Sequence, residues 1–261
     1  MKIFFNKYQG AGNDFIIIKS DGNSKTAFTE EKIKQLCDRR FGIGADGLML
    51  LEKHSKLDFK MKYYNSDGRE GSMCGNGGRC IVAFAFKNQL ISNKTICFEA
   101  IDGNHEAEIK ENTTIKLKMQ NVSEIEVGND FFFLNTGSPH YISFVENIDS
   151  IDTVVEGRKI RYNNRFNEIG TNVDFAKLAN NQLFVKTYER GVEDETLSCG
   201  TGVTASALCA AVKYNLLNSS LDIKTKGGNL KVYFKKNTQG GFEDIWLEGP
   251  ATFVFEGEIE V

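Results

Sequence analysis

The sequence is poor in proline and has neither a long apolar run nor a strong charge of one sign. Only 2 of its 261 residues are proline, which together with few long loops predicts compact, strand-rich domains with one main helix each. No segment approaches the roughly 20 consecutive apolar residues of a membrane-spanning helix. A net charge of −3 provides no basic field for nucleic acid or an anionic membrane. We therefore expect a soluble globular protein with neither kind of partner.

Signals for export, metal binding and phosphate binding are also missing. Residues 1–6 lack the apolar core of a signal peptide, so we expect a cytoplasmic protein. The six cysteines include no Cys-x-x-Cys pair, and their spacing does not match a tetrahedral zinc site. We expect reduced thiols and no metal. The glycines of segment 41–47 complete neither a P-loop nor a dinucleotide-binding fingerprint, so they predict a shaped turn.

The most informative feature is a short motif that occurs twice. Residues 70–79 read Glu-Gly-Ser-Met-Cys-Gly-Asn-Gly-Gly-Arg, and residues 195–204 read Glu-Thr-Leu-Ser-Cys-Gly-Thr-Gly-Val-Thr. Both copies place Glu four residues before Cys and Gly-x-Gly after it. Small and apolar residues with helical spacing follow each copy. Each Cys is therefore predicted to lie where a Gly-rich turn leads into a helix.

A helix start has chemical consequences for Cys74 and Cys199. The first N–H groups of a helix lack internal partners, and the helix dipole favours negative charge there. We expect the thiol pKa values to be lowered, and we expect the free N–H groups to suit a carboxylate. A carbon held between two thiols can lose a proton to one and regain it from the other, which inverts the centre. Two helix starts facing the α-carboxylate of an amino acid would each contribute about 3 kcal/mol to this step.

Other interpretations of the cysteines stay open at this point. A Cys peptidase or acyltransferase needs a single nucleophile, which leaves the second motif unexplained. A redox or thiol-binding protein with a reversible Cys74–Cys199 disulfide would need that disulfide to cycle, whereas an acid–base enzyme works only when reduced. The remaining cysteines are predicted to be small buried apolar residues, and they are Cys37, Cys80, Cys97 and Cys209.

The rest of the chain predicts mainly strands. A helix is expected from Thr29 to about residue 39, whereas 158–167 is a polar stretch without an assigned element. Alternating patterns predict hairpins over 95–119 and from residue 221 onward. Asn13 and Asn172 each precede a Phe that enters a strand, which suggests a second, weaker repeat.

The polar side chains outside the Cys motif have mostly structural explanations. From the residues alone, a turn role is favoured for Asn13. His54 and His105 are expected at exposed polar positions. His140 follows a Gly/Pro turn at a strand edge, so packing in the turn and a role in the site are equally favoured.

Several motifs together resemble the diaminopimelate epimerase family, in the family's order and from the N-terminus to at least residue 202. The motifs are Gly10-Ala-Gly-Asn-Asp-Phe15, Gly42-Ile-Gly-Ala-Asp46, Tyr64-Asn-Ser-Asp-Gly68, Met73-Cys-Gly-Asn-Gly-Gly-Arg-Cys80, Gly137-Ser-Pro-His140, Tyr188-Glu-Arg-Gly191 and Ser198-Cys-Gly-Thr-Gly202. The resemblance implies a cofactor-independent enzyme that interconverts LL- and meso-2,6-diaminopimelate in lysine and peptidoglycan precursor synthesis, usually as a homodimer.

The resemblance also implies the architecture. We expect an α+β fold of two pseudo-symmetric domains, each a largely antiparallel sheet wrapped around a central helix, with the active site in the cleft between them. The domain that carries Cys74 is predicted to comprise residues 1–119 and 252–261. The domain that carries Cys199 is predicted to comprise residues 120–251.

The family's residue roles transfer by motif to positions in this sequence. Cys74 and Cys199 are implied to be the acid–base pair. The backbone N–H groups implied to bind the reacting carboxylate are those of Gly75, Asn76, Gly200 and Thr201. The side chains implied to contact the rest of the substrate are Asn13, Asn65, Asn172, Glu189 and Arg190. His140 and Glu189 are candidates for tuning the thiols.

The distal end of the substrate distinguishes the nearest alternative. The planar fork of Arg190 suits a distal carboxylate, while Glu189 and Asn65 suit a distal ammonium. A racemase or epimerase of the same fold that acts on proline, hydroxyproline or histidine would have little use for this pair of charges. Two positions depart from the pattern of some members, since Gly47 replaces Gln and Ser138 replaces Asn. Recognition of the distal end is therefore expected to be altered or to pass through water.

Overall fold

The computed structural model describes residues 2–20, 28–71, 73–110 and 114–260. The chain divides into two compact units, Met1–Leu117 with Gly249–Val261, and Lys118–Glu248. The first unit contains Cys74 and the second contains Cys199. Their roles as two epimerase domains stay a prediction.

The described residues form strands and helices in the following order. Up to residue 118 they are β1 Lys2–Gly10, β2 Asn13–Ser20, α1 Glu30–Cys37, β3 Gly47–Glu52, β4 Phe59–Asn65, α2 Gly75–Lys87, β5 Thr95–Ala100, β6 Gly103–Ile109 and β7 Thr114–Lys118. The rest are β8 Glu126–Val127, β9 Phe132–Asn135, β10 Pro139–Phe144, α3 Thr153–Arg161, β11 Asn172–Ala179, β12 Gln182–Glu189, β13 Asp194–Thr196, α4 Gly200–Lys213, β14 Ser220–Thr225, β15 Gly228–Lys236, β16 Phe242–Pro250 and β17 Thr252–Glu260.

In the first unit the sheet is largely antiparallel. β1 pairs antiparallel with both β17 and β2, as do β3 with β4, β5 with β6 and β6 with β7. The parallel pairs are β2 with β3 and β4 with β5. Parallel neighbours need a crossover connection, and these two crossovers contain α1 and α2. Strands from most of the sheet, β1, β2, β3, β6 and β17, contact α2, so the sheet surrounds this helix.

The second unit repeats this order of elements and adds the short strands β8 and β13. Its antiparallel pairs are β8 with β9, β9 with β10, β11 with β12, β12 with β13, β14 with β15 and β15 with β16. Its parallel pairs are β10 with β11, across α3, and β12 with β14, across α4. The strands that contact α4 are β9, β10, β11, β12, β14 and β15. The predicted α+β fold, with a largely antiparallel sheet around one central helix in each half, is confirmed.

The central residues of β2, 15–18, are apolar without alternation, and their surroundings explain this pattern. Residues 15–18 are all buried. Successive residues of a strand point to opposite faces, so Ile16 and Ile18 share one face. They pack there in one cluster with Ile33 and Leu36 of α1. The residues between them therefore face the other side of the sheet, where α2 contacts β2. A strand segment covered by helices on both faces favours apolar residues at every position.

The helix α3 lies partly in the polar stretch 158–167, for which the sequence pattern predicted no particular element. The carboxylate of Asp152 caps the helix by accepting two N–H groups of its first turn. Gly157 and four β-branched residues, Thr153, Val154, Val155 and Ile160, weaken the helical pattern. The glycine is required by packing, because a Cβ there would lie 2.4 Å from the Cβ of Tyr188.

Asn13 and Asn172 do not occupy equivalent positions in the two units, so the weaker repeat predicted from the sequence is wrong. Asn13 begins β2, which precedes the first parallel crossover of its unit, whereas Asn172 begins β11, which follows the corresponding crossover. The position equivalent to Asn13 is the start of β10, next to His140. The position equivalent to Asn172 is the start of β3, which is Gly47.

Three predictions for single residues are corrected by the structure. His54 is half-buried rather than exposed, and its Nδ1 accepts the N–H of Leu57 at 2.8 Å. Cys97 is half-buried rather than buried. His105 is not exposed, since its side chain stacks on Phe98 and its Nε2 lies 3.1 Å from a carboxylate oxygen of Asp102. The predicted burial of three other cysteines is confirmed, namely Cys37, Cys80 and Cys209.

Candidate active site

Cys74 is the N-cap residue of α2 and is half-buried. Its backbone is extended, and its carbonyl accepts the N–H of Gly78 at 2.7 Å, the first bond of the helix. The amides of the three residues between them point out of the helix end, where they suit an anion. The predicted helix start at the first Cys motif is thus present in the structure.

The side-chain amide of Asn13 faces the Cys74 thiol. Its Nδ2 donates to Asp46 at 2.5 Å, so its Oδ1 points the other way and lies 3.6 Å from the Cys74 sulfur. The Nδ2 of Asn76 lies 3.5 Å from the same Oδ1. Asn13 therefore has a contact with the thiol in addition to its place in the β1–β2 turn.

A group of charges lies behind Asn13. Arg39 donates to the carboxylates of both Asp14 and Asp46, and Lys7 pairs with Asp14 at 2.7 Å. Burial by itself would raise the pKa of Asp14, but the hydrogen bonds from Arg39 and Lys7 outweigh burial and lower it to about 2. This ionised network orients the carboxylate of Asp46 toward Asn13.

Arg79 is a fully buried cation in the first turns of α2. Its guanidinium donates to the Gly75 carbonyl at 3.2 Å, to Asn76 Oδ1 at 2.8 Å and to the Pro250 carbonyl at 3.4 Å. Among the residues that the structure describes, no carboxylate forms an ion pair with it. Burial lowers the pKa of Arg79, an effect that the nearby thiols of Cys80 and Cys74 oppose. Arginine stays protonated in proteins, so a positive charge is buried close to Cys74.

Gly47 and Asn65 form a register pair of β3 and β4. A Cβ on Gly47 would lie 2.5 Å from the Tyr63 ring, and one on Gly71 would lie 3.0 Å from Asn65 Nδ2. The ring of Tyr63 thus occupies the space beside Gly47, which gives a physical reason for a glycine at the position where some family members have Gln. The backbone of Asn65 closes the following turn, and Asn65 itself is exposed.

Cys199 is the N-cap residue of α4 and is only 8% exposed. Its carbonyl accepts the N–H of Val203 at 2.9 Å, in the same way as at the start of α2. The glycine after Thr201 is required by packing. A Cβ on Gly202 would lie 2.4 Å from a carboxylate oxygen of Asp174 and 3.2 Å from His140 Cε1.

His140 and Asp174 form a buried pair next to this helix start. The Nδ1 of His140 lies 2.7 Å from Asp174 Oδ2, and both side chains are fully buried. The other carboxylate oxygen accepts the Thr187 hydroxyl at 2.6 Å. The Nε2 of His140 lies 2.9 Å from the Thr201 hydroxyl, which is itself 3.4 Å from the Cys199 sulfur. His140, which the sequence left between a packing role and a site role, thus reaches the second thiol through one side chain.

The pKa of Cys199 is shifted in the direction opposite to the sequence prediction. Burial raises it well above the ordinary thiol value, and the charges of Glu189 and Asp174 raise it further. The Thr201 hydroxyl and the Gly202 amide lower it but do not compensate. The predicted lowering at a helix start is therefore wrong for Cys199, because desolvation and two carboxylates outweigh the helix N-terminus.

Asn172, Glu189 and Arg190 lie at neighbouring strand ends. The Asn172 side chain has a protein partner at both ends, since its Oδ1 accepts the Arg190 N–H at 2.8 Å and its Nδ2 lies 3.3 Å from His140 Nε2. Glu189 ends β12 and acts on Cys199 by its charge. The Arg190 guanidinium donates to the Ile169 carbonyl at 3.0 Å and lies at the surface.

Two residues of these sites, Asp174 and Arg79, were not predicted from the sequence. A signal for Asp174 was present, because Asn172 and Asp174 alternate on a strand and therefore share a face. Thr187 is the register partner of Asp174 on the neighbouring strand, which continues the polar strip. Arg79 lies in a helix of small and apolar residues, and its burial could be foreseen only from that context.

Across residues 2–20, 28–71, 73–110 and 114–260, no helix combines the length and apolar character needed to cross a membrane. Within the same ranges, no group of three or more His, Cys, Asp or Glu side chains is arranged to hold a metal ion.

Comparison with known sequences decides the family. A family model described as diaminopimelate epimerase matches residues 5–125 and 132–254. The chain is 50% identical to the diaminopimelate epimerase of Flavobacterium psychrophilum, over 99% of this chain and 100% of that protein. It is 43% identical to the diaminopimelate epimerase of Chlorobaculum tepidum, over 96% of this chain and 98% of that protein. The chain belongs to the diaminopimelate epimerase family.

Solved structures show the same fold at low sequence identity. A PhzF-family phenazine biosynthesis protein from Bacillus anthracis matches with a TM-score of 0.79 and 14% identity, over 100% of both chains. A hydroxyproline epimerase from Agrobacterium vitis matches with a TM-score of 0.70 and 12% identity, over 99% of this chain and 92% of that one. The fold of the diaminopimelate epimerase family is thus shared with these proteins, and the predicted resemblance to this family is confirmed.

The residues that the family motifs point to form one group in each unit. In the first unit Asn13, Cys74 and Asn76 lie together, with Asn65 at the end of a neighbouring strand. In the second unit one hydrogen-bonded group joins several of them, namely His140, Asn172, Cys199 and Thr201. Gly75 and Gly200 are the first residues of α2 and α4.

Proposed function

We propose that the protein interconverts LL- and meso-2,6-diaminopimelate by moving the α-proton between Cys74 and Cys199, as a step toward lysine and peptidoglycan precursors. One observation carries this proposal. In a chain of the diaminopimelate epimerase family, each of two structurally repeated units presents a cysteine at the N-cap of its central helix. The proposal requires both helix starts to face one substrate.

The two thiols take opposite roles in one turnover. One thiolate removes the α-proton, and the thiol on the opposite face of the carbon donates its own proton. In the resting protein we assign the acid role to Cys199, because burial and the charges of Glu189 and Asp174 favour its neutral form. Cys74 then starts as the base, close to the buried positive charge of Arg79. The reverse reaction exchanges these roles.

The two helix starts stabilise the carbanion. Negative charge develops on the α-carboxylate as the proton leaves, and N–H groups already aimed at that carboxylate stabilise it without rearranging. In our proposal these donors are the first-turn amides of each helix, from Gly75, Asn76, Gly200 and Thr201. Two such helix ends also contribute their dipoles in the same direction.

The distal end of diaminopimelate would be recognised by side chains. Arg190 uses one part of its guanidinium on the Ile169 carbonyl and lies at the surface, so it suits the distal carboxylate. Glu189 and Asn65 suit the distal ammonium. Asn13 and Asn172 position the groups around them, since Asn13 contacts the Cys74 thiol and Asn172 contacts both His140 and the backbone of Arg190.

Three broader properties complete the proposal. We propose that the reaction needs no cofactor, because two thiols and oriented amides supply the acid, the base and the charge stabilisation. We also propose a cytoplasmic homodimer, as the family resemblance implies. Activity measured after exhaustive dialysis against a chelator tests the absence of a cofactor. The mass in solution, measured by light scattering, tests the homodimer.

The test is proton NMR of the reduced protein in D2O with LL-diaminopimelate, and separately with L-proline and L-histidine. We expect solvent deuterium to enter the α position of diaminopimelate only, together with appearance of the meso isomer. Exchange with proline or histidine instead would keep the thiol mechanism but change the substrate. Exchange with none of the three would overturn the proposal, and activity that depends on an oxidised Cys74–Cys199 pair would replace it with a redox function.

A further inference from the structure

The hydrogen bonds around His140 determine which of its nitrogens carries the proton. A backbone N–H can only donate, so the atom of Asn172 that meets the Arg190 N–H is its oxygen. The other end of that amide is therefore the NH₂ group, and it lies 3.3 Å from His140 Nε2. Facing a donor, Nε2 acts as an acceptor. The proton of the neutral ring is then on Nδ1, where it points at the carboxylate of Asp174 at 2.7 Å.

This tautomer determines which group donates and which accepts in each hydrogen bond of the network. Because Nε2 accepts, the Thr201 hydroxyl at 2.9 Å donates to it. The lone pairs of the Thr201 oxygen are then free to accept the S–H of Cys199 at 3.4 Å. Asp174 also accepts the Thr187 hydroxyl at 2.6 Å, so the carboxylate is held on both of its oxygens. A continuous chain of donors and acceptors runs from the thiol to the buried carboxylate.

We propose that the Thr201 hydroxyl relays the proton of Cys199 to the His140–Asp174 pair, which stores it while Cys199 is a thiolate. The S–H bond breaks as a new O–H bond forms on Thr201, and the former Thr201 proton forms an N–H bond at Nε2. The products are a thiolate, an unchanged hydroxyl and an imidazolium paired with the Asp174 carboxylate. The sum of charges is unchanged, and no further reactant is needed.

This inference rests on the proposed function, in which Cys199 must become a thiolate. The relay supplies the base that accepts the Cys199 proton. A reversible epimerase needs this thiol as a thiolate in one of the two directions. The charged groups that act directly on Cys199 are Glu189 of β12 and Asp174 of β11, and both disfavour the thiolate. His140 of β10 is a base that the thiol reaches through one hydroxyl. Thr201 contacts the reacting sulfur, whereas Asp174 is a positioning residue that acts through His140.

The decisive variants separate the hydroxyl of Thr201 from its backbone amide. Thr201→Val removes the hydroxyl but keeps the side-chain shape and the N–H, and Thr201→Ser keeps the hydroxyl. Thr204→Val is the matched control, because the Thr204 hydroxyl is buried in the same helix and donates to the Gly200 carbonyl without reaching His140. His140→Gln tests the far end of the relay, because it removes the base that accepts the proton and keeps the Asp174 charge that acts on Cys199.

The first readout is the pH dependence of iodoacetamide labelling of the substrate-free protein, followed by mass spectrometry of the Cys199 and Cys74 peptides. We expect Thr201→Val to slow labelling of Cys199 about tenfold at pH 8, as a rise of one pKa unit would. Cys74 is the internal reference and should label at the wild-type rate. Thr201→Ser and Thr204→Val should match the wild type, and His140→Gln should follow Thr201→Val.

The second readout is epimerisation itself. We expect Thr201→Val to lower kcat/KM at least about tenfold, equally in both directions because the equilibrium is unchanged, with the loss in kcat rather than KM. Equal labelling of Cys199 in Thr201→Val and Thr201→Ser would overturn the relay, as would an equal loss at Cys74. If the wild type does not turn over diaminopimelate at all, the proposed function fails, while the labelling comparison still decides whether the relay exists.

Discussion

The start of α2 and the start of α4 have the same backbone but different surroundings. In both, the residue five positions after the cysteine donates to the carbonyl that follows that cysteine. Arg79 does so to Gly75 at 3.2 Å, and Thr204 does so to Gly200 at 2.9 Å. The duplication therefore preserves the helix start, its outward-pointing amides and one stabilising hydrogen bond. What changes is the chemical nature of the group that makes that bond.

The electrostatic difference between the two sites follows from those replacements. A buried guanidinium lies near the first thiol, whereas a buried carboxylate lies near the second and connects to it through His140 and Thr201. Two thiols in identical surroundings would have the same preference for the protonated form. Opposite charges give the thiols different preferences, so one repeated scaffold supplies both an acid and a base.

The largest expected effect comes from removing either thiol. We expect Cys74→Ser and Cys199→Ser each to lower epimerisation at least about 10³-fold, because an alcohol is far less acidic than a thiol and cannot replace it as acid or base. The measurement is kcat/KM with LL- and meso-diaminopimelate. Cys80→Ala and Cys209→Ala are matched controls in the same two helices and should stay active. Substantial activity in either serine variant would contradict the two-base mechanism.

A smaller effect is expected from the glycine three positions after each cysteine. We expect Gly202→Ala to lower kcat about 10²-fold, because its Cβ would displace Asp174 and with it His140. The equivalent change Gly77→Ala should be mild, since the nearest atom is the flexible sulfur of Met49 at 3.2 Å. Kinetics of both variants with a thermal unfolding control test this contrast, and equal losses would contradict it.

The smallest expected effect concerns stability at acid pH and is confined to the first unit. Asp14 has its pKa lowered from 3.8 to about 2, so we expect its ion pairs to stabilise the folded state by about 2 kcal/mol above pH 4, with the contribution lost as the pH falls toward 2. Asp14→Asn should lower the free energy of unfolding at pH 7 by this amount. Urea denaturation at a series of pH values measures it, and a difference that persists at pH 2 would contradict the assignment.

Much of the site was predictable because it depends on local sequence. Gly-x-Gly after a cysteine, followed by small apolar residues, predicts a helix start, and both helices begin where expected. His140 was equally favoured for packing and for the site, and its contacts with Thr201 and Asp174 could not be read from a turn pattern. The equivalence of Asn13 and Asn172 failed because similar short motifs open strands on different sides of a crossover.

The sequence by itself determined the two helix starts, the strand-rich repeat and the family, because these depend on glycine turns, periodicity and motif order. Only the tertiary structure decided the chemical difference between the two thiols. The pKa of Cys199 depends on its burial and on Glu189 and Asp174, which come from other strands. Desolvation and Coulomb energies are set by distances in space, and residues 10 to 25 positions away along the chain become neighbours only when the sheet closes around α4.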